Sequence, residues 1–372
     1  MMLKTPAARE GTDPQGTTIG TDHESVTIDP MLLERVLVLC EQGPRPRAVL
    51  AESHDERVLR AAGALAEVGV QPVLIGSGSE VRDRAKQLGI AGTDGWSVED
   101  PAVLAAGPAG ERIRSSAERK HPELAEQWLS DPVFLAAAAV KEGLADAAVA
   151  GADRPTADVI RAGLSIVGLA PDSSLLSSSF LMRLRDGRYL GFGDCAVIPV
   201  PDDEQLSAIA IATAQTFAAI TGQPPSVAML SFSTAGSAQH SDIDRVRAAT
   251  EHIRSSCPEL DVDGELQFDA AIVESVAKSK CPESAVAGHA NVLVFPNLAA
   301  GNIGYKIAER LGGADAFGPL LQGLAAPIND LSRGASVSDI VNVALITCLQ
   351  ALTPATGAEE LAKTTTQTFT TK

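Results

Sequence analysis

Short apolar runs alternate with helix-length amphipathic stretches along most of the chain, and that alternation limits the possible folds more than any other feature. Residues 47–51 read as a first strand. Ser53 then reads as a helix N-cap with Glu56 as its capping-box partner, and Val58, Ala61, Ala62 and Leu65 supply the apolar stripe. Residues 71–75 read as a second strand, and Val81, Ala85 and Leu88 mark another helix. Further strands are expected at 147–150, 195–198, 227–231 and 290–295. This order builds α/β layers with mainly parallel sheets, whose ligands sit beyond the carboxyl ends of the strands. Aromatic residues make up only 3% of the chain, so the core must use small aliphatic side chains, which suits helices packed closely on a parallel sheet. With 372 residues, the chain exceeds what one compact core usually holds, and two domains are expected.

Residues 1–29 are rich in Thr, Gly, Asp and Pro without an apolar period and read as a flexible tail, as do residues 357–372. The formal net charge of −17 argues against a nucleic-acid partner. A site for anions would have to gather its cations locally, which is feasible because the screening length at physiological salt is about 8 Å. The five cysteines, Cys40, Cys195, Cys257, Cys281 and Cys348, are scattered without C-x-x-C spacing and read as free thiols rather than disulfides or a zinc site. No run of 18 apolar residues and no apolar leader occurs, so a cytoplasmic protein without membrane contact is expected.

Four segments could carry chemistry. In Asn329 through Asp339, Ser332-Arg333-Gly334 precedes a helix N-capped by Ser336, where free N–H groups, the helix dipole and a guanidinium can meet an anion. On spacing alone a purely structural reading is the stronger one, since Ser336 and Asp339 form an S-x-x-D capping box. Pro296 through Lys306 reads as a glycine-bearing loop between a strand and a helix, with Gly301 and Gly304 permitting close backbone approach and Lys306 adding charge; tight-turn glycines are the alternative. Leu230 through Ala238, with Ser233 at its centre, could cradle phosphate or a pantetheine arm, or be a polar connection. The fourth comprises Arg119-Lys120-His121 and Arg161, each of which can also be read as solvated helix surface.

Together these segments resemble the phosphate acetyl/butyryltransferase family. Asn302 through Lys306, then Gly318-Pro319-Leu320-Leu321-Gln322-Gly323-Leu324, then Asn329 through Gly334 look like its C-terminal signature. Leu230 to Ala238 and Leu266 to Ala271 are similar to its middle motifs, and Asp55-Glu56-Arg57 and Arg119-Lys120-His121 to its N-terminal ones, over roughly residues 30–355. The resemblance implies two three-layer α/β domains with mainly parallel sheets, like those of isocitrate and isopropylmalate dehydrogenases, and an active-site cleft between them. One domain would combine residues 30–171 with 317–356, and the other would span 172–316. The implied reaction is reversible acetyl transfer between acetyl phosphate and coenzyme A, with no metal or bound prosthetic group, usually in a homodimer. A butyryl- or propionyl-phosphate enzyme and a non-catalytic sensor of coenzyme A or acyl phosphate are the alternatives. Carried over by position, Ser332, Arg333 and Asp339 are the implied catalytic residues. Arg119 and Arg161 are the implied phosphate arginines, with Arg154, Thr156, Ser233, Gly301, Asn302 and Lys306 as further substrate contacts. The sequence departs from the family pattern at Arg154-Pro155, where His-Ser is usual, and at His289, Asn297, Ala299 and Ala335.

Overall fold

The computed structural model describes residues 17–19 and 25–353. A short antiparallel pair, β1 (Thr17–Ile19) and β2 (Val26–Ile28), leads into α1 (Pro30–Gln42). There follow β3 (Arg47–Leu50), α2 (Glu56–Glu67), β4 (Gln71–Ile75), α3 (Gly78–Gln87) and β5 (Ser97–Glu99). Helices α4 (Pro101–Ala106), α5 (Pro108–Lys120), α6 (Ala125–Ser130) and α7 (Pro132–Lys141) then lead to β6 (Ala147–Ala150) and α8 (Thr156–Ala162). The next stretch holds β7 (Ser177–Arg183), β8 (Tyr189–Gly193), α9 (Asp203–Thr221), β9 (Ser226–Leu230), α10 (Ser241–Ser256) and β10 (Asp261–Leu266). It continues through α11 (Phe268–Ile272), α12 (Glu274–Lys280), β11 (Val292–Val294), α13 (Leu298–Arg310) and β12 (Asp315–Gln322). Last come β13 (Ile328–Asp330) and α14 (Val337–Leu352).

The strands form two main sheets. One is wholly parallel, in the order β13-β6-β3-β4-β5. The other has the order β10-β9-β11-β8-β7-β12, with β7 antiparallel to both of its neighbours and the remaining pairs parallel. Parallel neighbours require crossovers, and the helices supply them. Small side chains let these layers close up: all four residues of β6 are buried, as are the eight residues from Val133 to Val140 of α7. Helix α14 is buried continuously from Ile340 to Leu349 and packs on α1, α2, β6 and α9, so the last helix joins the two halves of the chain. The chain thus builds its first sheet, crosses to the second, and returns for β13 and α14.

Several expectations change. The strand expected at 195–198 is a loop, because the N–H groups of Ala196, Val197 and Ile198 all donate to the buried carboxylate of Asp194; the strand lies earlier, as β8. Ser53 does not cap α2. Its hydroxyl donates to the carbonyl of Ile75, and Asp55 is the N-cap, accepting from the Arg57 N–H. The segment expected to be tail up to residue 29 is structured at its end: Ile28 and Asp29 are buried, at 0% and 2% exposure. The expected boundary at 316/317 falls inside β12, which pairs with β7 in the mixed sheet. The C-terminal tail expected from residue 357 lies outside the described residues.

Candidate active site

Because the five-stranded sheet is parallel, its carboxyl ends share one edge, where the loops after β3, β6 and β13 meet. Arg57 ties these loops together. Its guanidinium donates to the carbonyls of Arg333 (3.0 Å), Ala335 (2.8 Å) and Ala152 (2.8 Å), while Asp55 holds it at 2.6 Å. The loop after β13 runs through Ser332 and Arg333 into α14. There the Ser336 hydroxyl accepts from the Asp339 N–H at 3.2 Å, and Asp339 Oδ2 accepts from both the N–H and the hydroxyl of Ser336 at 2.8 Å. The capping box read from the sequence is therefore present. Asp339 Oδ1 makes no hydrogen bond among the described residues.

Opposite this loop stand α13 and β12 of the other sheet. Between them lies a cleft of about 300 Å³, lined by Lys306 and Arg310 on one side and by Ser332, Gly334 and Asp339 on the other. Its floor includes Phe180 and Tyr305, whose rings stack 4.0 Å apart, and the Gly318-Pro319 segment. Lys306 donates to Asn302 Oδ1 at 2.8 Å and lies over the Tyr305 ring, and Arg310 is mostly exposed beside Glu309. A larger cavity of about 480 Å³, between α9 and the end of α14, has Asp172 as its only charged lining residue among the described residues; Leu321 to Leu324 of the signature run line it, but none of the expected catalytic or substrate-binding residues does.

The structure thus gathers Ser332, Asp339 and Lys306 in one cleft. Arg333 is exposed on the same loop, with only its backbone fastened, by Arg57. Arg119 and Arg161 are exposed on α5 and α8, and Arg161 pairs with Asp158 at 2.8 Å. Arg154 is committed to Asp131 at 2.6 Å and lies 3.7 Å from Asp153. Thr156 donates to Asp330 at 2.5 Å, which places the start of α8 against the end of β13. Of these five residues, Arg333, Arg119, Arg161, Arg154 and Thr156, none lines the cleft.

Three expected contacts are taken up by the protein itself. Ser233 is fully buried and donates to Glu265 at 2.8 Å. Burial alone would raise the Glu265 carboxyl, but the Arg247 guanidinium, the Gly236 N–H and the Ser233 hydroxyl together hold it down to about 2. Gly301 and Asn302 lie inside helix α13, which starts at Leu298, and not in a loop. A side chain at Gly301 would come within 2.3 Å of the Asp194 carbonyl, and Asn302 donates to the Cys195 carbonyl at 3.0 Å. Sequence reasoning assigned no role to Arg57, Phe180, Tyr305 or Arg310. Only Arg57 and Tyr305 lay inside a noticed motif, and their contacts are long-range.

The family profile described as phosphate acetyl/butaryl transferase matches residues 31–348. The chain is 43% identical over 323 residues to the phosphate acetyltransferase of Thermoanaerobacterium thermosaccharolyticum, covering 82% of this chain and 95% of that protein. Its fold is similar to that of a phosphotransacetylase from Streptococcus pyogenes, with a TM-score of 0.79 at 42% identity, covering 86% of this chain and 97% of the other. The EutD phosphotransacetylase from Staphylococcus aureus aligns with a TM-score of 0.77 at 39% identity, covering 86% and 99%.

Proposed function

The chain belongs to the phosphate acetyl/butyryltransferase family, and on that premise we infer how its cleft carries the reaction. That reaction is reversible transfer of an acetyl group between acetyl phosphate and coenzyme A, giving acetyl-CoA and phosphate. One observation carries the assignment to this cleft: Ser332 and Asp339 of one half face Lys306 and Arg310 of the other.

A thiol has a reference pKa of about 8.5, so only a few per cent is thiolate near neutrality. The sulfur attacks the acetyl carbonyl carbon and the S–C bond forms. The C–O bond to phosphate breaks, its electron pair leaves with the phosphate, and the thiol proton passes to a base. Asp339 is that base in our reading, through Oδ1, because Ser336 occupies Oδ2. Asp339 is exposed to solvent at the start of α14, where water competes for the thiol proton. Most of the rate enhancement therefore falls to positioning and charge stabilisation. Arg333 turns towards the carbonyl oxygen or leaving phosphate as charge develops, and Ser332, whose oxygen already accepts the Gly334 N–H at 3.3 Å, donates its hydroxyl proton. Arg119 and Arg161, which do not line the cleft in this structure, clamp the phosphate with forked donors once they close on it, the phosphate displacing Asp158 from Arg161 and Arg154 and Thr156 joining only as they leave Asp131 and Asp330. Lys306 meets an anionic part of coenzyme A. Coenzyme A is a substrate here, and no metal or prosthetic group takes part.

A homodimer is supported by Ile303, Ile307 and Leu311, which form an exposed apolar stripe along α13 at helical spacing. Five cysteines without disulfides support a cytoplasmic location. Following thioester absorbance with acetyl, propionyl and butyryl phosphates tests the activity and its acyl preference together. Absence of thioester with all three overturns the reading.

A further inference from the structure

Glu52 and Asp330 are both completely enclosed, at 0% exposure. They lie at the carboxyl ends of β3 and β13, the two strands flanking β6. Gly151, the first residue past β6, sits between them. Its N–H donates to Glu52 Oε1 at 2.7 Å, and a side chain there would meet Asp330 Oδ1 at 2.3 Å. The backbone at Gly151 is also left-handed, with φ 104°, so only glycine fits. Asp330 Oδ2 accepts the Thr156 hydroxyl. The remaining oxygens, Glu52 Oε2 and Asp330 Oδ1, have no hydrogen-bond partner.

The charged groups around the pair do not neutralise it. From the loop after β6, Asp153 adds a like charge and Arg154 an opposing one, which offsets the rise of the Glu52 carboxyl only in part because Arg154 is held by Asp131 just before α7. From the start of α2, Arg57 is bonded to Asp55 and three carbonyls, and from the loop after β3 His54 pairs with Asp153 at 2.7 Å. From α8 comes only the neutral Thr156 hydroxyl. Burial accordingly pushes both carboxyls up to about 7, Asp153 raising Glu52 further and Glu52 raising Asp330. Two carboxylates in such a place do not both ionise readily, and their protons leave in steps that belong to the pair.

We propose that Glu52 and Asp330 form one proton-holding pair, and that the retained proton keeps the Leu331-Ser332-Arg333 segment seated on the sheet edge for catalysis. They are positioning residues and touch no substrate. The mechanical link is short: Asp330 is two residues from Ser332, and the Leu331 N–H donates to the Ala150 carbonyl at 2.8 Å. A second charge without a counter-ion would draw water to Asp330 and unseat the segment. The inference rests on Ser332 lying in the active cleft.

The test compares wild type with Glu52→Gln and Asp330→Asn, whose amides cannot ionise. Turnover is followed from pH 6 to 9 and melting temperature from pH 4 to 9, since the stability of a raised carboxyl is lost between its ordinary value and about 7. The ratio of variant to wild-type kcat should rise at least threefold from pH 6.5 to 9, while the wild-type melting temperature falls more steeply with pH than that of either variant. A ratio constant across the range overturns the proposal, since a merely structural role lowers kcat equally at every pH. Should neither variant fold, carbon-13 NMR of the wild-type carboxyls decides. At least one of the two must titrate above pH 6, and two ordinary titrations near pH 4 overturn the pair. That titration stands apart from the acetyl-transfer assay, so failure of the functional reading and failure of the pair are distinguishable.

Discussion

The Tyr189 hydroxyl donates to the Asp29 carboxylate, 2.7 and 2.8 Å from its two oxygens, and so ties the residue just before α1 to strand β8 of the other half. Asp29 also caps α1, accepting from the N–H groups of Met31 and Leu32, and its own N–H donates to Asn342 on α14 at 2.9 Å. Asp29→Ala should therefore lower stability by about 1–3 kcal/mol, combining a lost cap with an unpaired, partly buried hydroxyl. Asp29→Asn, which can still cap, should recover a part. Urea unfolding measures both, and an unchanged midpoint in the Ala variant would return this segment to the tail expected from the sequence.

Arg57 fastens two carbonyls of the catalytic loop at once. Lysine keeps the charge but not the planar fork, so Arg57→Lys should lower kcat by roughly 10–10²-fold through misplacement of Ser332 and Arg333. A kcat within twofold of wild type would show that the loop holds its place unaided.

Arg161→Ala should raise the KM for acetyl phosphate more than that for coenzyme A, and Arg161→Lys should rescue only part of the loss, because a clamp needs bidentate geometry. Complete rescue by lysine would mean that Arg161 acts only as a distant charge.

Asp339 has two roles that one substitution separates. As a capping residue alone, Asp339→Asn should cost about 1 kcal/mol or less and leave turnover nearly unchanged. As the acceptor of the thiol proton, it should lose roughly 10²–10⁴-fold in turnover, with the deficit shrinking as pH rises and more thiol is already ionised. Near-normal turnover in a folded Asn variant removes Asp339 from the chemistry and leaves Ser332 and Arg333 to carry it.

Glu265 makes the opposite kind of pH dependence from Glu52 and Asp330. Its folded value of about 2 lies below the ordinary carboxyl value, so its contribution to stability is present above about pH 4.5 and is lost as pH falls towards 2. The contribution is at most about 3 kcal/mol, and less in practice because Arg247 is partly exposed. Glu265→Gln should flatten the loss of stability between pH 5 and 2.5, as read by urea unfolding. A wild-type and variant loss running in parallel would assign the acid sensitivity to other carboxylates. Glu52 and Asp330 carry the reverse sign: each is raised, so each favours the fold most in acid and loses that contribution as pH climbs through about 7.

Local rules made the helix-and-strand alternation and the Ser336–Asp339 cap legible in the sequence, because each is settled within about four residues. The same rules failed at Ser53 and at 195–198, where a tertiary partner outbid the local pattern: the carbonyl of Ile75 took the hydroxyl, and Asp194 took three N–H groups. The loop carrying Ser332 and Arg333 was legible as a motif, but its fastening was not. Arg57 meets Arg333 across 276 residues of chain, and Thr156 meets Asp330 across 174. The burial of Ser233 behind Glu265, the two phenyl-type rings on the cleft floor and the enclosure of Glu52 beside Asp330 likewise exist only once two sheets and α14 have packed. A sequence specifies what each residue can bond; which bond it makes, and how far its charge is removed from water, depends on neighbours that the chain brings together only by folding.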